Sequence, residues 1–148
     1  MTNAAVQVLL VEDNPNDVKL TLRALEKHRL ANQIEVVRDG QAAIDFLFGA
    51  GGVESTAALS PVPRLILLDL KLPKLSGLEV LERIKADPRT RTIPVTILTS
   101  SREDIDIERA YELGVNSYIV KPVDFVQFSD AVEQLGFYWL LLNEPPTS

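Results

Sequence analysis

The sequence predicts an α/β domain built on a doubly wound, five-stranded parallel sheet. Three features point there. Five short apolar runs recur along the chain; each is followed by a stretch whose apolar residues have helical spacing; and the runs are continuously apolar rather than alternating. A strand covered by helices on both faces needs apolar side chains on both faces, whereas a half-exposed strand alternates. At 148 residues, 46% of them hydrophobic and 24% charged, the chain has the length of one compact domain with a sizeable core. One domain over residues 1–148 is the expectation.

The elements follow in order. Val6 to Val11 has the length and composition of a first strand. Asn14 can then cap a helix that Pro15 opens, with Val18, Leu22 and Leu25 at i, i+4 and i+7 on its inner face. Ile34 to Val37 is the second strand, and Ala43, Ile44, Leu47 and Phe48 form a short second stripe. Gly49 to Pro63 has no period and reads as a long loop. Leu65 to Leu68 is the third strand; Ser76 can cap the third helix, whose stripe is Val80, Leu81 and Ile84. Val95 to Leu98 is the fourth strand, followed by a weaker stripe of Ile107, Ala110 and Tyr111 that Gly114 ends. Tyr118 to Val120 is the fifth strand. The last helix is expected over 124–142, with Phe125, Phe128, Val132, Leu135 and Trp139 on one face.

Composition narrows the partners. A net charge of −6 and a pI near 4.8 disfavour nucleic-acid and anionic-membrane surfaces, which demand clustered Lys and Arg. There is no cysteine, so disulfides and thiolate metal sites are excluded, which suits a cytoplasmic location. No apolar stretch reaches the ~18 residues of a membrane span, and the N-terminus reads as a strand rather than a signal peptide. A protein partner is the expectation.

In a parallel sheet the strand ends gather on one edge, and ligands bind there at the topological switch point. That edge collects Glu12 and Asp13 after the first strand, Asp69 after the third, Thr99, Ser100 and Ser101 after the fourth, and Lys121 after the fifth. Singly, each has an ordinary explanation: a solvated loop acid, a turn residue, a surface lysine. Together they raise an electrostatic problem, because two carboxylates about 4 Å apart repel by roughly 4 kcal/mol at an effective dielectric near 20. A divalent cation relieves it. Oxygen donors without His or Cys suit a hard ion, and Mg²⁺ is usually held by one or two carboxylates, waters and phosphate oxygens. The set therefore suggests Mg²⁺ and a phosphoryl group. Asp69 would be the nucleophile that becomes an aspartyl phosphate, the metal and Lys121 would neutralise the phosphoryl oxygens, and the Thr99 hydroxyl would hydrogen-bond one of them.

Four motifs in order, "VED" at Val11 to Asp13, "LLDLKLPKLSG" from Leu67 to Gly77, "ILTSS" at Ile97 to Ser101 and "YIVKP" at Tyr118 to Pro122, resemble the receiver domain of two-component response regulators. The resemblance covers nearly the whole chain. It implies the flavodoxin-like strand order 2-1-3-4-5. It also implies phosphotransfer from a phosphohistidine of a sensor histidine kinase to Asp69, with slow self-dephosphorylation and no turnover enzyme. The metal would be held by Glu12, Asp13, Asp69 and the Lys71 backbone carbonyl. Lys71 and Ser101 would set the phosphoryl lifetime by controlling water, and the Lys121–Pro122 bond would be cis. Tyr118, which packing alone would also explain, becomes the switch partner of Thr99, moving inward on activation and reshaping the face made by helix four, strand five and helix five. Ser100 departs from the small alanine frequent after the threonine. His28, the sole histidine, reads as a complement to the helix dipole.

The last helix runs into "FYWLLL", Phe137 to Leu142, apolar on every side. Such a segment must be covered, either by the domain's own core or by a partner. Phe137, Tyr138, Trp139 and Leu140 are therefore candidate interface residues for a docked kinase or for a homodimer formed through this tail and the face made by helix four, strand five and helix five. With no residues left for an output domain, the tail and the long loop resemble the single-domain regulators that partner bacterial, especially cyanobacterial, phytochrome kinases. A flavin carrier of this fold is disfavoured by the acids of "EDNPN", and a haloacid-dehalogenase-type phosphatase by Lys71 where it needs a second acid. A phosphorylation-independent dimeric binding module of the same fold is the alternative function.

Overall fold

The structure is a computed structural model and describes residues 8–27, 33–49, 62–121 and 125–136. Strands and helices alternate: β1 (Val8–Val11), α1 (Pro15–Lys27), β2 (Ile34–Val37), α2 (Gly40–Phe48), β3 (Leu65–Leu68), α3 (Gly77–Ala86), β4 (Val95–Thr99), α4 (Asp104–Glu112), β5 (Ser117–Val120) and α5 (Phe125–Gly136). All neighbouring strands are parallel, and their order is β2-β1-β3-β4-β5. This is the doubly wound, flavodoxin-like order expected from the motifs.

Burial explains which strands lie inside. Every residue of β1, β3 and β4 is buried, while the edge strands β2 and β5 are mostly half-buried. Because successive side chains point to opposite faces, the apolar runs feed two cores. Leu9, Val11, Ile66, Leu68, Val95 and Ile97 meet α2, α3 and α4 on one face. Val8, Leu10, Leu65, Leu67 and Leu98 meet Val18, Ala24 and Leu25 of α1 on the other, where α1 also packs against α5.

The helix boundaries have local causes. The Asn14 side chain accepts from the backbone N–H groups of Asn16 (2.9 Å) and Asp17 (3.2 Å), fixing the start of α1 with Pro15 at its first position. Ser76 and Glu79 form a reciprocal capping box at α3. Asp39 caps α2 through Ala42 N–H at 2.7 Å, a cap the sequence reading did not single out. After α4, Gly114 adopts φ 99°, with Gly114 N–H donating to Tyr111 and Val115 N–H to Ala110, which makes the Gly114 stop a Schellman motif.

Two expectations need correction. Tyr111 does not join the inner stripe of α4: it is exposed, Ala110 alone is fully buried there, and Leu113 past the helix end packs on the core instead. The fourth strand extends to Thr99, because Lys121 N–H donates to the Thr99 carbonyl at 2.8 Å and prolongs the ladder. His28, most of the Gly49 to Pro63 loop, the Lys121–Pro122 bond and residues 137–148 lie outside the described residues. So do the side chains of Phe125, Phe128, Val132 and Leu135.

Candidate functional site at the carboxyl edge of the sheet

Register brings the site together. Val11 pairs with Leu68, so Glu12 and Asp69 leave neighbouring strands side by side; Asp69 N–H donates to Val11 and Glu12 N–H to Val37, both at 3.0 Å. Thr99 pairs with Val120, which delivers Lys121 one residue later. Glu12 and Asp69 are 2% and 7% exposed, and Thr99 is fully buried.

The Lys121 ammonium is the hub. It lies 2.8 Å from Glu12 Oε1, 3.0 Å from Asp69 Oδ2 and 2.7 Å from Asp17 Oδ2. An ammonium has three N–H donors, and here each has a carboxylate. Asp69 Oδ1 accepts from Lys71 N–H at 3.3 Å, and the buried Thr99 hydroxyl helps to hold Asp69 ionised. Asp13 and Lys71 are exposed at the mouth.

Charge is unevenly balanced in this cluster. Burial pushes the Glu12 carboxyl up from 4.5 to about 7, against the hydrogen bond from Lys121 and aided by the Asp69 charge. Burial works to raise Asp69 too, but is outweighed by the Lys121 charge and by hydrogen bonds from Glu12, Lys121 and Thr99, which hold it below the usual carboxylate range. For Lys121, burial would lower the value, and the bonds to Asp17 and Glu12 and the Asp69 charge raise it instead. Three carboxylates thus share one buried cation, and between Glu12 and Asp69 it is Glu12 whose proton affinity rises.

This revises the electrostatic picture drawn from sequence. A divalent ion is not the only thing that lets these acids coexist, because Lys121 already reconciles Glu12 and Asp69. Among the described residues, no three acidic or imidazole side chains are grouped to hold a metal ion. The donor set still fits Mg²⁺: the ligands are oxygens, negative charge exceeds positive, and one or two carboxylates with waters suffice for that ion.

The loop after Asp69 is pinned by two glycines. A Cβ at Gly77 would stand 2.1 Å from the Asp69 carbonyl oxygen and 2.5 Å from Leu70 Cα, and one at Gly40 would stand 2.2 Å from the Leu75 carbonyl oxygen. Gly77 N–H donates to Leu70 at 2.9 Å and Gly40 N–H to Pro73 at 3.2 Å. Only a residue without a side chain lets the helices approach the loop so closely.

On the opposite wall, Tyr118 is half-buried against the main core, and its hydroxyl donates to the Ser101 carbonyl at 3.0 Å. Ser101 N–H lies 3.4 Å from Thr99 Oγ1. The Ser101 hydroxyl donates to Asp106 Oδ2 at 2.6 Å and accepts from Glu103 N–H at 3.3 Å. Its side chain is therefore engaged with the start of α4, while Ser100 is exposed. The candidate interface residues Phe137, Tyr138, Trp139 and Leu140 lie outside the described residues. On the α4 and α5 surfaces, Ile105, Tyr111 and Val126 are exposed.

Asp17 was not anticipated. As an acid in the first turn of α1 it reads as a dipole complement, and no local spacing reveals that it meets a lysine 104 positions away.

A buried strand-end aspartate, held ionised by a lysine from a separate strand and flanked by a buried acid and a threonine, defines a phosphoryl-acceptor type of site on a doubly wound sheet. The family model described as the response regulator receiver domain matches residues 8–133, and the chain belongs to that family, the receiver of two-component signalling. Over 140 residues it is 46% identical to the probable methanogenesis regulatory protein FilR2 of Methanothrix harundinacea, covering 94% of this chain and 86% of that one. It is 39% identical over 139 residues to response regulator Rcp1 of Synechocystis, covering 94% and 92%. In three dimensions it resembles the phosphorylated cyanobacterial phytochrome response regulator RcpA, with a TM-score of 0.84 and 38% identity over 97% of this chain and 100% of that one. The Mn²⁺-bound form of Rcp1 gives 0.82 and 37%, over 96% and 99%.

Proposed function

We propose that the chain is a phosphorelay response regulator in which Asp69 accepts a phosphoryl group from a sensor histidine kinase. The observation that carries this is the Asp69 carboxylate itself, buried yet held ionised, with the Lys121 ammonium at 3.0 Å. An Asp69 oxygen attacks phosphorus in line; the new O–P bond forms as the P–N bond of the phosphohistidine breaks, and the imidazole leaves with the electron pair. Lys121 turns donors to the phosphoryl oxygens, and the Thr99 hydroxyl donates to another. Glu12, Asp13, Asp69 and the Lys71 carbonyl would hold Mg²⁺, which when bound would supply further positive charge for those oxygens. The manganese-bound form of Rcp1 supports a divalent cation in a site of this kind.

Loss of the Thr99 hydroxyl to the phosphoryl group draws on Ser101, whose N–H reaches Thr99 and whose carbonyl holds Tyr118. That network supports Thr99 and Tyr118 as the switch and the α4–β5–α5 face as its readout. Lys71, exposed, and Ser101 stand where water access would set the phosphoryl lifetime. The described residues form one receiver domain, which acts by protein contacts rather than by turnover and works in the cytoplasm. The likeness to RcpA supports a phytochrome-type kinase as partner, and the apolar 137–140 segment supports a homodimer.

Incubation with acetyl phosphate and Mg²⁺, followed by intact mass measurement, tests the reading. One phosphoryl group is expected on the wild type and none on Asp69→Asn. No adduct on either protein refutes it and favours the phosphorylation-independent dimeric module.

A further inference from the structure

One strong contact in the site has no duty in the reaction as described. Of the three acceptors around Lys121, Glu12 is required by the cation and Asp69 by phosphorus, whereas Asp17, the nearest at 2.7 Å, is required by neither. It is also the best braced. Its backbone N–H donates to the Asn14 cap, its carbonyl accepts from the Thr21 hydroxyl at 2.8 Å, and the neighbouring Val18 is buried in the core beneath α1. At 24% exposure its side chain is partly shielded, so its bond to the ammonium is charge-assisted and weakly screened.

We propose that Asp17 is a positioning residue for phosphoryl acceptance: it anchors the Lys121 ammonium to α1 while Glu12 and Asp69 release it. The proposal rests on Asp69 being the phosphoacceptor. As the O–P bond forms, Asp69 loses its carboxylate charge and the incoming phosphoryl group brings its own anionic oxygens, while Glu12 would turn to bound Mg²⁺. Two of the three Lys121 donors are freed for phosphoryl oxygens, and the third stays on Asp17. Without Asp17 the ammonium is held only by the two groups that cation and phosphorus need, and it competes with both.

The test measures Mg²⁺ affinity of the unphosphorylated protein by calorimetry and, separately, the rate of phosphorylation by acetyl phosphate at saturating Mg²⁺. In Asp17→Asn both should weaken about tenfold, the size expected from a lost charge-assisted hydrogen bond. Asp17→Glu should recover most of the rate. Glu26→Gln, an exposed charge change farther along α1, should leave both unchanged. The proposal is overturned if Asp17→Asn binds Mg²⁺ and takes up phosphate like the wild type. It is equally overturned if the variant slows only in step with a lower melting temperature while Mg²⁺ affinity is unaltered. A wild type that never accepts phosphate refutes the phosphoacceptor reading instead, and the Mg²⁺ comparison still decides whether Asp17 holds Lys121 away from its competitors.

Discussion

Glu12 makes folding stability depend on pH in a direction unusual for a carboxylate. An acid that binds its proton more tightly in the folded chain favours folding while protonated. The Glu12 contribution is therefore full below about 4.5, its ordinary value, and is lost as pH rises through about 7. At about 1.4 kcal/mol per tenfold change in proton affinity, the loss amounts to about 3 kcal/mol. Neither partner obscures this window. Asp69, held below its ordinary 3.8, contributes constantly above that value, and Lys121, raised above 10.5, contributes constantly below it. Urea unfolding in the presence of a chelator at pH 5, 6, 7 and 8 reads the effect. Wild-type stability should fall across the series relative to Glu12→Gln, in which the titrating group is gone and every other group, His28 included, is shared. Mg²⁺ added at pH 8 should restore more stability to the wild type than to the variant, because an ion that binds only the folded chain stabilises it by mass action. Parallel profiles for the two proteins would refute the reasoning, since burial would then not be penalising the ionised Glu12.

Three further outcomes follow from the geometry. Gly77→Ala should lower stability by about 1–3 kcal/mol in a urea titration, because its Cβ meets Asp69 and Leu70 backbone atoms that cannot swing aside; it should also slow phosphorylation of Asp69. Asn14→Ala should cost about 1 kcal/mol by leaving the first N–H groups of α1 without their side-chain acceptor, read as a lower melting temperature. Tyr118→Phe should cost about 1 kcal/mol by leaving the Ser101 carbonyl without its hydroxyl donor, and should broaden the Ser101 and Glu103 amide resonances if that bond restrains the β4–α4 loop.

The strands were legible because a segment such as Leu65 to Leu68 has no polar side to present to water, which leaves only the interior of a sheet. The positions of Glu12, Asp69 and Lys121 followed, since parallel strands of similar length must end on the same edge. What remained hidden was direction. Glu12 and Asp13 are adjacent and chemically alike, yet one is buried on Lys121 and the other faces out; sequence alone cannot tell which of two neighbours the chain turns inward as it leaves a strand. Ser101 shows the same blindness, because its hydroxyl could have faced the site and instead serves Asp106. Asp17 was concealed by distance along the chain, and Gly40 by the absence of any local sign that Leu75 would lie against it.

The paired glycines give the two sides of the pocket different mechanical characters. Beneath Lys71 to Leu75 the floor has no slack, since the loop is seated directly on the openings of α2 and α3. The facing side is laced by hydroxyls and a tyrosine, groups that can exchange partners by turning about single bonds. If Asp69 takes a phosphoryl group as proposed, the rearrangement is expected on the yielding side, because the stiff flank has no room to move.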